Sequence, residues 1–216
     1  MQLEVWSDIV CPWCYLGKRR LETALGQFEH ADEVEVVWRS FQLDPSYPKG
    51  EPRPVPEALR SKLGASAAQV AAMQGHVTSL AAEDGLEYHL DQSIMANTFD
   101  AHRLTHLARE YGLGTELHER LMRANLIEAE NVDDAETLVR LATEVGVPAE
   151  AARRVLAGDE YAADVEADIR QARAFGANGV PFFVLDRKYG ISGAQPTEAF
   201  LSALRTAYQD SAAGAR

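Results

Sequence analysis

Two cysteines occur among the 216 residues of this chain, and they stand as Cys11-Pro12-Trp13-Cys14. A short apolar run (Leu3, Val5, Trp6) precedes them and a helical pattern follows from about Trp13 to Phe28. Sulfurs at this spacing, at a strand-to-helix junction, suit a dithiol that closes to a disulfide and reopens. The junction matters because the first turn of a helix carries unpaired N–H groups and a partial positive charge. A sulfur held there is favoured as the thiolate, the form that attacks disulfides. Pro12 falls at the first helical position, where its missing N–H would have no partner anyway.

Cys11, ahead of the helix and the more exposed of the pair, is expected to attack. Cys14, inside the first turn, is expected to close a Cys11–Cys14 disulfide and so release a mixed disulfide. Two other readings stand beside this one: an inert buried pair, and a metal site. Two thiolates alone do not complete a tetrahedral zinc site. The remaining ligands would have to be His102 and His106, which share one helical face. Motif and location together favour the redox pair.

The residues around the pair each carry two readings. Trp13 is either an apolar platform for a substrate or a ring packed on the surface. Asp8 either caps the loop before Cys11 or relays a proton as Cys14 ionises. His102 is a candidate for the same relay or a satisfied structural histidine, whereas His76, His89 and His118 read as surface residues. Pro181 opens a later apolar run, a place where a strand tolerates proline.

The elements that must position these groups can be read from periodicity. Leu3–Trp6 and Val34–Phe41 read as strands flanking the first helix, a strand–helix–strand unit expected to make a right-handed parallel crossover. Residues 44–56 hold five prolines and predict an extended linker. From Glu57 to Phe175 the pattern is helical, with about six helices expected from capping-box spacings at Ser66–Gln69 and Asp133–Glu136. Asn97 and Thr98 are candidate caps, and Gly64, Gly112, Gly146, Gly158 and Gly176 candidate helix ends. Val180–Leu185 and Tyr189–Ser192, joined by Asp186-Arg187-Lys188, predict a hairpin. A last helix is expected over Thr197–Tyr208 and a frayed tail over Ser211–Arg216.

Composition narrows the class. The chain is 46% hydrophobic and 25% charged, ordinary for a globular protein with a core. Lys and Arg total 21 against 33 Asp and Glu, a net charge of −12, which argues against nucleic acid or an anionic membrane as partner. No basic stretch followed by an apolar run opens the chain, and no run approaches the ~20 residues of a membrane helix. With so few cysteines, a cytoplasmic location is expected, where Cys pairs tend to be catalytic.

Three stretches carry a resemblance. Trp6-Ser-Asp-Ile-Val-Cys-Pro-Trp-Cys-Tyr-Leu-Gly17, Asn97-Thr-Phe-Asp-Ala-His-Arg103, and Gly179-Val-Pro-Phe-Phe-Val184 with Gly190-Ile-Ser-Gly-Ala-Gln195 resemble the DsbA family of the thioredoxin superfamily, most closely its FrnE-like branch. The resemblance implies an α/β class, a thioredoxin fold interrupted by an all-α helical insertion domain. The thioredoxin-like domain would take residues 1–55 and 174–216, and the insertion 56–173. It also implies thiol–disulfide exchange through Cys11 and Cys14, with a cis peptide at Val180-Pro181 beside them. Pro12, Trp13 and Val180 would meet the substrate, a protein or small-molecule disulfide or thiol. No cofactor beyond the cysteine pair is implied, with glutathione a candidate electron partner. The segment Arg123–Glu130 departs from the family in lacking an aromatic residue near Leu126. Relatives of the kappa-class transferase and 2-hydroxychromene-2-carboxylate isomerase type share the inserted fold but carry serine in the place of Cys11. A glutathione-dependent transferase or isomerase is therefore the alternative, and a non-enzymatic redox sensor a third reading. Monomer and homodimer both stay open.

Overall fold

The computed structural model describes residues 1–214, with side chains as far as Ser211. Its organising element is β1 (Gln2–Ser7), buried from Leu3 onward, so that both of its faces need cover. Successive side chains alternate between faces. Leu3 and Val5 enter one core, with Leu21, Phe183, Phe200 and Leu204. Trp6 enters another, with Phe41, Ala172, Phe182 and Val184.

β1 is the second strand of a four-stranded sheet of order β2-β1-β5-β6. β2 (Glu35–Ser40) runs parallel to it, Leu3 opposite Val36 and Ser7 opposite Ser40. β5 (Phe182–Leu185) runs antiparallel on its other side, Trp6 opposite Phe182, and turns into β6 (Tyr189–Ser192). The sheet is thus assembled from both ends of the chain. α1 (Pro12–Gly26) and α9 (Thr197–Gly214) pack against each other and fill one face, where Phe183 and Phe200 meet edge to face at 4.7 Å. Each such fully buried side chain contributes ~1.5–3 kcal/mol.

Seven helices among the described residues lie between the two halves of the sheet, where about six were expected. α2 (Val55–Leu63) and α3 (Ala67–Glu83) form a pair. α4 (Phe99–Glu110), α5 (Gly114–Leu126), α6 (Ala135–Glu144) and α7 (Ala149–Ala157) surround a core that includes Leu104, Leu107, Leu121 and Leu141. α8 (Ala162–Ala174) closes the second face of the sheet: Trp6 Nε1 donates to the Asp168 carbonyl at 2.8 Å. α2 opens and α8 closes one residue outside the 56–173 stretch.

The departures from the sequence reading are local. The proline-rich tract holds a two-residue strand, β3 (Arg53–Pro54), paired with β4 (Ile94–Met95), and α2 begins before Pro56. Pro56 sits in the first turn, where no helical bond needs its nitrogen. The Ser66–Gln69 capping box forms. The next one is displaced by a residue: Asp134 caps α6 by accepting from Thr137 N at 2.8 Å, while Asp133 accepts from Gly50 N at 2.6 Å. Gly158 ends α7 in extended rather than left-handed backbone. α1 stops at Gly26, short of Phe28. α9 continues to Gly214, so Ser211 lies within a helix where fraying was expected; residues 215 and 216 of that expected tail lie outside the described residues.

Candidate active site

Cys11 is the N-cap of α1 and Cys14 lies one turn inside it. The Cys11 carbonyl accepts from Cys14 N at 3.0 Å and from Tyr15 N at 3.4 Å, which winds the first turn around the pair. Both thiols are free and both are buried, Cys11 at 3% and Cys14 at 1% exposure. The expected contrast in exposure is therefore slight, and a substrate sulfur must come to Cys11 through a cleft. Burial pushes the Cys14 thiol well above its ordinary range, and the adjacent Cys11 pushes it further. Ser7 and the Asp8 backbone pull in the opposite direction.

The loop after α8 brings Val180 to the pair. The Val180–Pro181 peptide is cis, and the Cys11 thiol donates to the Val180 carbonyl at 3.8 Å. Gly17 of α1 makes this approach close, because a Cβ there would stand 3.0 Å from Pro181 Cγ and 3.2 Å from Phe183 Cζ. From the other side, the Tyr88 hydroxyl donates to the Pro12 carbonyl at 2.6 Å. Burial, with both cysteines nearby, raises the Tyr88 phenol and keeps it protonated.

Asp8 and His102 do meet. His102 Nε2 lies 3.2 Å from Asp8 Oδ1, with both side chains buried. The same carboxylate accepts from Ile9 N at 2.9 Å and Leu43 N at 2.8 Å, so it braces the turn ahead of Cys11. His106 is turned to Asp168, 3.1 Å away, and to Ser40. The two histidines of the zinc reading are thus drawn to two different carboxylates. Among the described residues, no three His, Cys, Asp or Glu side chains converge as metal ligands.

His118 corrects the sequence reading. It is not a surface residue but is 1% exposed, with Nε2 3.0 Å from Ser7 Oγ. The signal was present: His118 falls three residues before Leu121 and four before Met122, on the apolar stripe of α5. His76 and His89 are exposed as expected. Below the ring, Lys18 pairs with Glu119 at 2.5 Å, and Tyr15 donates to the same carboxylate, clasping α1 to α5.

A cleft of about 360 Å³ opens beside Cys11. Its walls are mostly apolar, including Trp13, Leu59, Met73, Val77 and Val180. Trp13, Leu43, Leu63 and Met73 all line it while remaining 38–52% exposed. Large apolar side chains left open around one cleft mark a binding surface rather than a scattered remainder. Lys62 on the rim is paired with Asp44 at 2.8 Å.

The sheet, the helix bearing the dithiol and the inserted helices define a thioredoxin-fold protein with a helical insertion. The model of the DSBA-like thioredoxin domain matches residues 2–205, and the chain belongs to that family. It is similar to the crystal structure of a probable DsbA oxidoreductase from Streptomyces coelicolor, at 48% identity and a TM-score of 0.93 over 97% of this chain and 90% of that one. It is 31% identical over 148 residues to the uncharacterized protein YwbO of Bacillus subtilis, covering 68% of this chain and 67% of the other. The cytosolic disulfide reductase DsbM of Pseudomonas aeruginosa, solved with GSH, shares the fold at 20% identity and a TM-score of 0.67, over 97% of this chain and all of DsbM. No described helix is long and apolar enough to cross a membrane.

Proposed function

We propose that this thiol–disulfide oxidoreductase exchanges disulfides with protein or small-molecule partners through Cys11 and Cys14. Cys11 attacks and Cys14 resolves. The observation that carries the reading is the pair of free thiols at the head of α1, with Cys11 facing both the Val180 carbonyl and the apolar cleft. In the forward half-reaction a Cys11 thiolate attacks a substrate disulfide, one substrate sulfur leaves as the thiol, and Cys14 then displaces the other. Pro12, Trp13 and Val180 line the approach, and Pro181 fixes the loop that presents Val180. Asp8 and His102 are the proton relay of this reading. We also assign the chain to the FrnE-like branch and divide it at 55/56 and 173/174. The likeness to DsbM, a cytosolic disulfide reductase solved with GSH, supports a cytoplasmic site of action and glutathione as electron partner.

The test is a pair of variants assayed for insulin reduction and for refolding of a scrambled protein. Cys11→Ser is expected to abolish exchange, and Cys14→Ser to accumulate a mixed disulfide at Cys11. Exchange that persisted in Cys11→Ser would end this reading. The transferase or isomerase alternative needs only the position of Cys11, so glutathione-dependent conjugation or isomerisation that survived Cys14→Ser would favour it. A redox sensor would oxidise but show no turnover.

A further inference from the structure

One side chain from the inserted region reaches the backbone of the Cys-Pro-Trp-Cys turn. The Tyr88 hydroxyl donates to the Pro12 carbonyl at 2.6 Å, and among the described residues no other side chain hydrogen-bonds to the backbone of residues 11–14. Tyr88 is 5% exposed and shares a buried cluster with Cys11, Cys14, Tyr15 and Leu126. Its neighbours in the chain are tied down on three sides. His89 N donates to the Leu126 carbonyl at 2.9 Å, and Gln74 Nε2 to the Leu90 carbonyl at 2.8 Å. Asp84 pairs with Arg20 of α1 at 2.9 Å. The hydroxyl is thus presented to the turn from a segment fixed to α1, α3 and α5.

The choice of acceptor gives this contact a chemical consequence. A carbonyl oxygen has two lone pairs; the helix uses one, and Tyr88 takes the other. A trans peptide is planar, so the Pro12 C=O and the Trp13 N–H point in opposite directions. Holding the carbonyl therefore holds the N–H toward the N-terminal end of α1, where Cys11 is the cap. In the first turn that N–H has no intrahelical acceptor. A cap side chain accepts from the second or third N–H of its helix, here Trp13 or Cys14. The Cys14 N–H is engaged by the Cys11 carbonyl at 3.0 Å. As a thiol, Cys11 makes no cap bond and donates instead to the Val180 carbonyl. Once ionised the sulfur can only accept, and the Trp13 N–H is the donor left for it.

We propose that Tyr88 is a positioning residue for the attacking thiolate: by holding the Pro12 carbonyl it aims the Trp13 N–H at the Cys11 sulfur. Donation to the carbonyl also polarises the peptide and strengthens that N–H as a donor. The proposal rests on the reading that Cys11 attacks.

The titratable groups around the turn are engaged elsewhere. The Asp8 carboxylate is taken by Ile9, Leu43 and His102. Tyr15 and Lys18 are held by Glu119, and Asp44 and Lys62 pair on the rim of the cleft. His76 of α3 lies against the Trp13 ring, 6.1 Å between ring centres. Residues 176–181, the loop that brings Val180, carry no titratable side chain. Removing one hydroxyl from Tyr88 changes none of these, and Cys14 is taken out in the test.

The experiment uses Cys14→Ser, which leaves a single thiol, with and without Tyr88→Phe. Each protein is mixed with hydroxyethyl disulfide over a series of pH values, acid-quenched, and its mixed disulfide at Cys11 counted by mass spectrometry. In this step the Cys11 thiolate attacks one sulfur, and the substrate S–S bond breaks as the new one forms. Mercaptoethanol leaves with the electron pair and takes its proton from water. The rate follows the thiolate fraction, so its pH midpoint reports Cys11. Tyr88→Phe is expected to move the midpoint upward by about half a pH unit, about a threefold fall in thiolate below it, the effect of one neutral hydrogen bond lost. A ring-fluorinated tyrosine placed at position 88, whose hydroxyl is the stronger donor, should move it downward. A role confined to stability would make Tyr88→Phe easier to unfold in urea while its pH midpoint stayed in place, and that result would overturn the proposal. If Tyr88→Phe does not fold, the fluorinated protein decides alone, and an unmoved or raised midpoint there overturns the proposal. If Cys14→Ser itself forms no mixed disulfide at any pH, the exchange reading fails and this proposal with it. If it forms one and Tyr88→Phe titrates alike, only this proposal fails.

Discussion

His102 Nε2 and Asp8 Oδ1 stand 3.2 Å apart, where neither side chain is more than 2% exposed. This contact ties α4 of the inserted helices to the turn that presents the dithiol. Asp8 also satisfies two backbone N–H groups, of Ile9 and Leu43. Asp8→Ala would leave those donors and an imidazole unpaired in the interior. Removing one partner of a buried polar pair costs ~3–5 kcal/mol, so a loss of that size is expected in urea unfolding of the reduced protein. Asp8→Asn, which keeps an acceptor, should lose less. An Asp8→Ala variant as stable as the parent would mean that this network braces nothing.

Gly17 is where α1 comes closest to the loop that carries Val180. A Cβ added there meets Pro181 Cγ at 3.0 Å and Phe183 Cζ at 3.2 Å, and Phe183 is fully buried in the main core. Gly→Ala in a helix interior would ordinarily gain about 0.5–1 kcal/mol. Here overpacking, at about 1–3 kcal/mol, should win. Gly17→Ala is therefore expected to be destabilised, with slower exchange because the Val180 carbonyl shifts from Cys11. Equal or greater stability in a thermal melt would show that the loop yields freely.

The fold and the thiol pair were legible because each rests on local signals. β1 and β5 are short runs of buried residues, Ser66 and Gln69 make their own cap, and the cysteines sit next to the helix that holds them. What escaped the sequence depends on distant pairings. Ser7 meets His118 across 111 positions and Asp8 meets His102 across 94: the helical stripe could mark His118 as buried, and Asp8 and His102 could be named as candidates, but neither pairing could be read locally. The missed start of α2 has a different cause: the tract rich in proline reads as extended, yet a proline in the first helical turn is harmless. The apolar cleft was invisible for the same reason as the networks, since Trp13, Leu43, Leu63 and Met73 converge only in space.

Burial of a neutral histidine has a signed consequence for pH dependence. His118 has its pKa held well below the ordinary value, first by burial and then by His102 and Lys18. Above about pH 6.5 the ring is neutral both folded and unfolded, so it contributes no slope. Below that value the unfolded chain binds a proton that the folded one refuses. Stability must then fall as pH falls, by up to ~1.4 kcal/mol per pH unit from this residue. Urea unfolding of parent and His118→Gln across this range isolates the term: the variant should lack that part of the slope. Parallel curves would show that His118 is protonated in the folded protein.

The apolar rim of the cleft should govern which disulfides react. Trp13 is 38% exposed and Met73 51% exposed, and both line the cleft at Cys11. A substrate whose sulfur lies next to apolar groups would bury these side chains as it docks. Covering a large apolar side chain is worth ~1.5–3 kcal/mol, so its removal should raise KM about tenfold or more when docking limits affinity. Trp13→Ala and Met73→Glu are expected to raise KM for an unfolded protein disulfide more than they lower kcat. With hydroxyethyl disulfide, which is too small to span the cleft, the same variants should show a much smaller rise. The two substrates measured side by side decide the matter. An equal loss on both would mean that Trp13 and Met73 act on the dithiol itself, and a change confined to kcat would remove the cleft as the place where substrate is held.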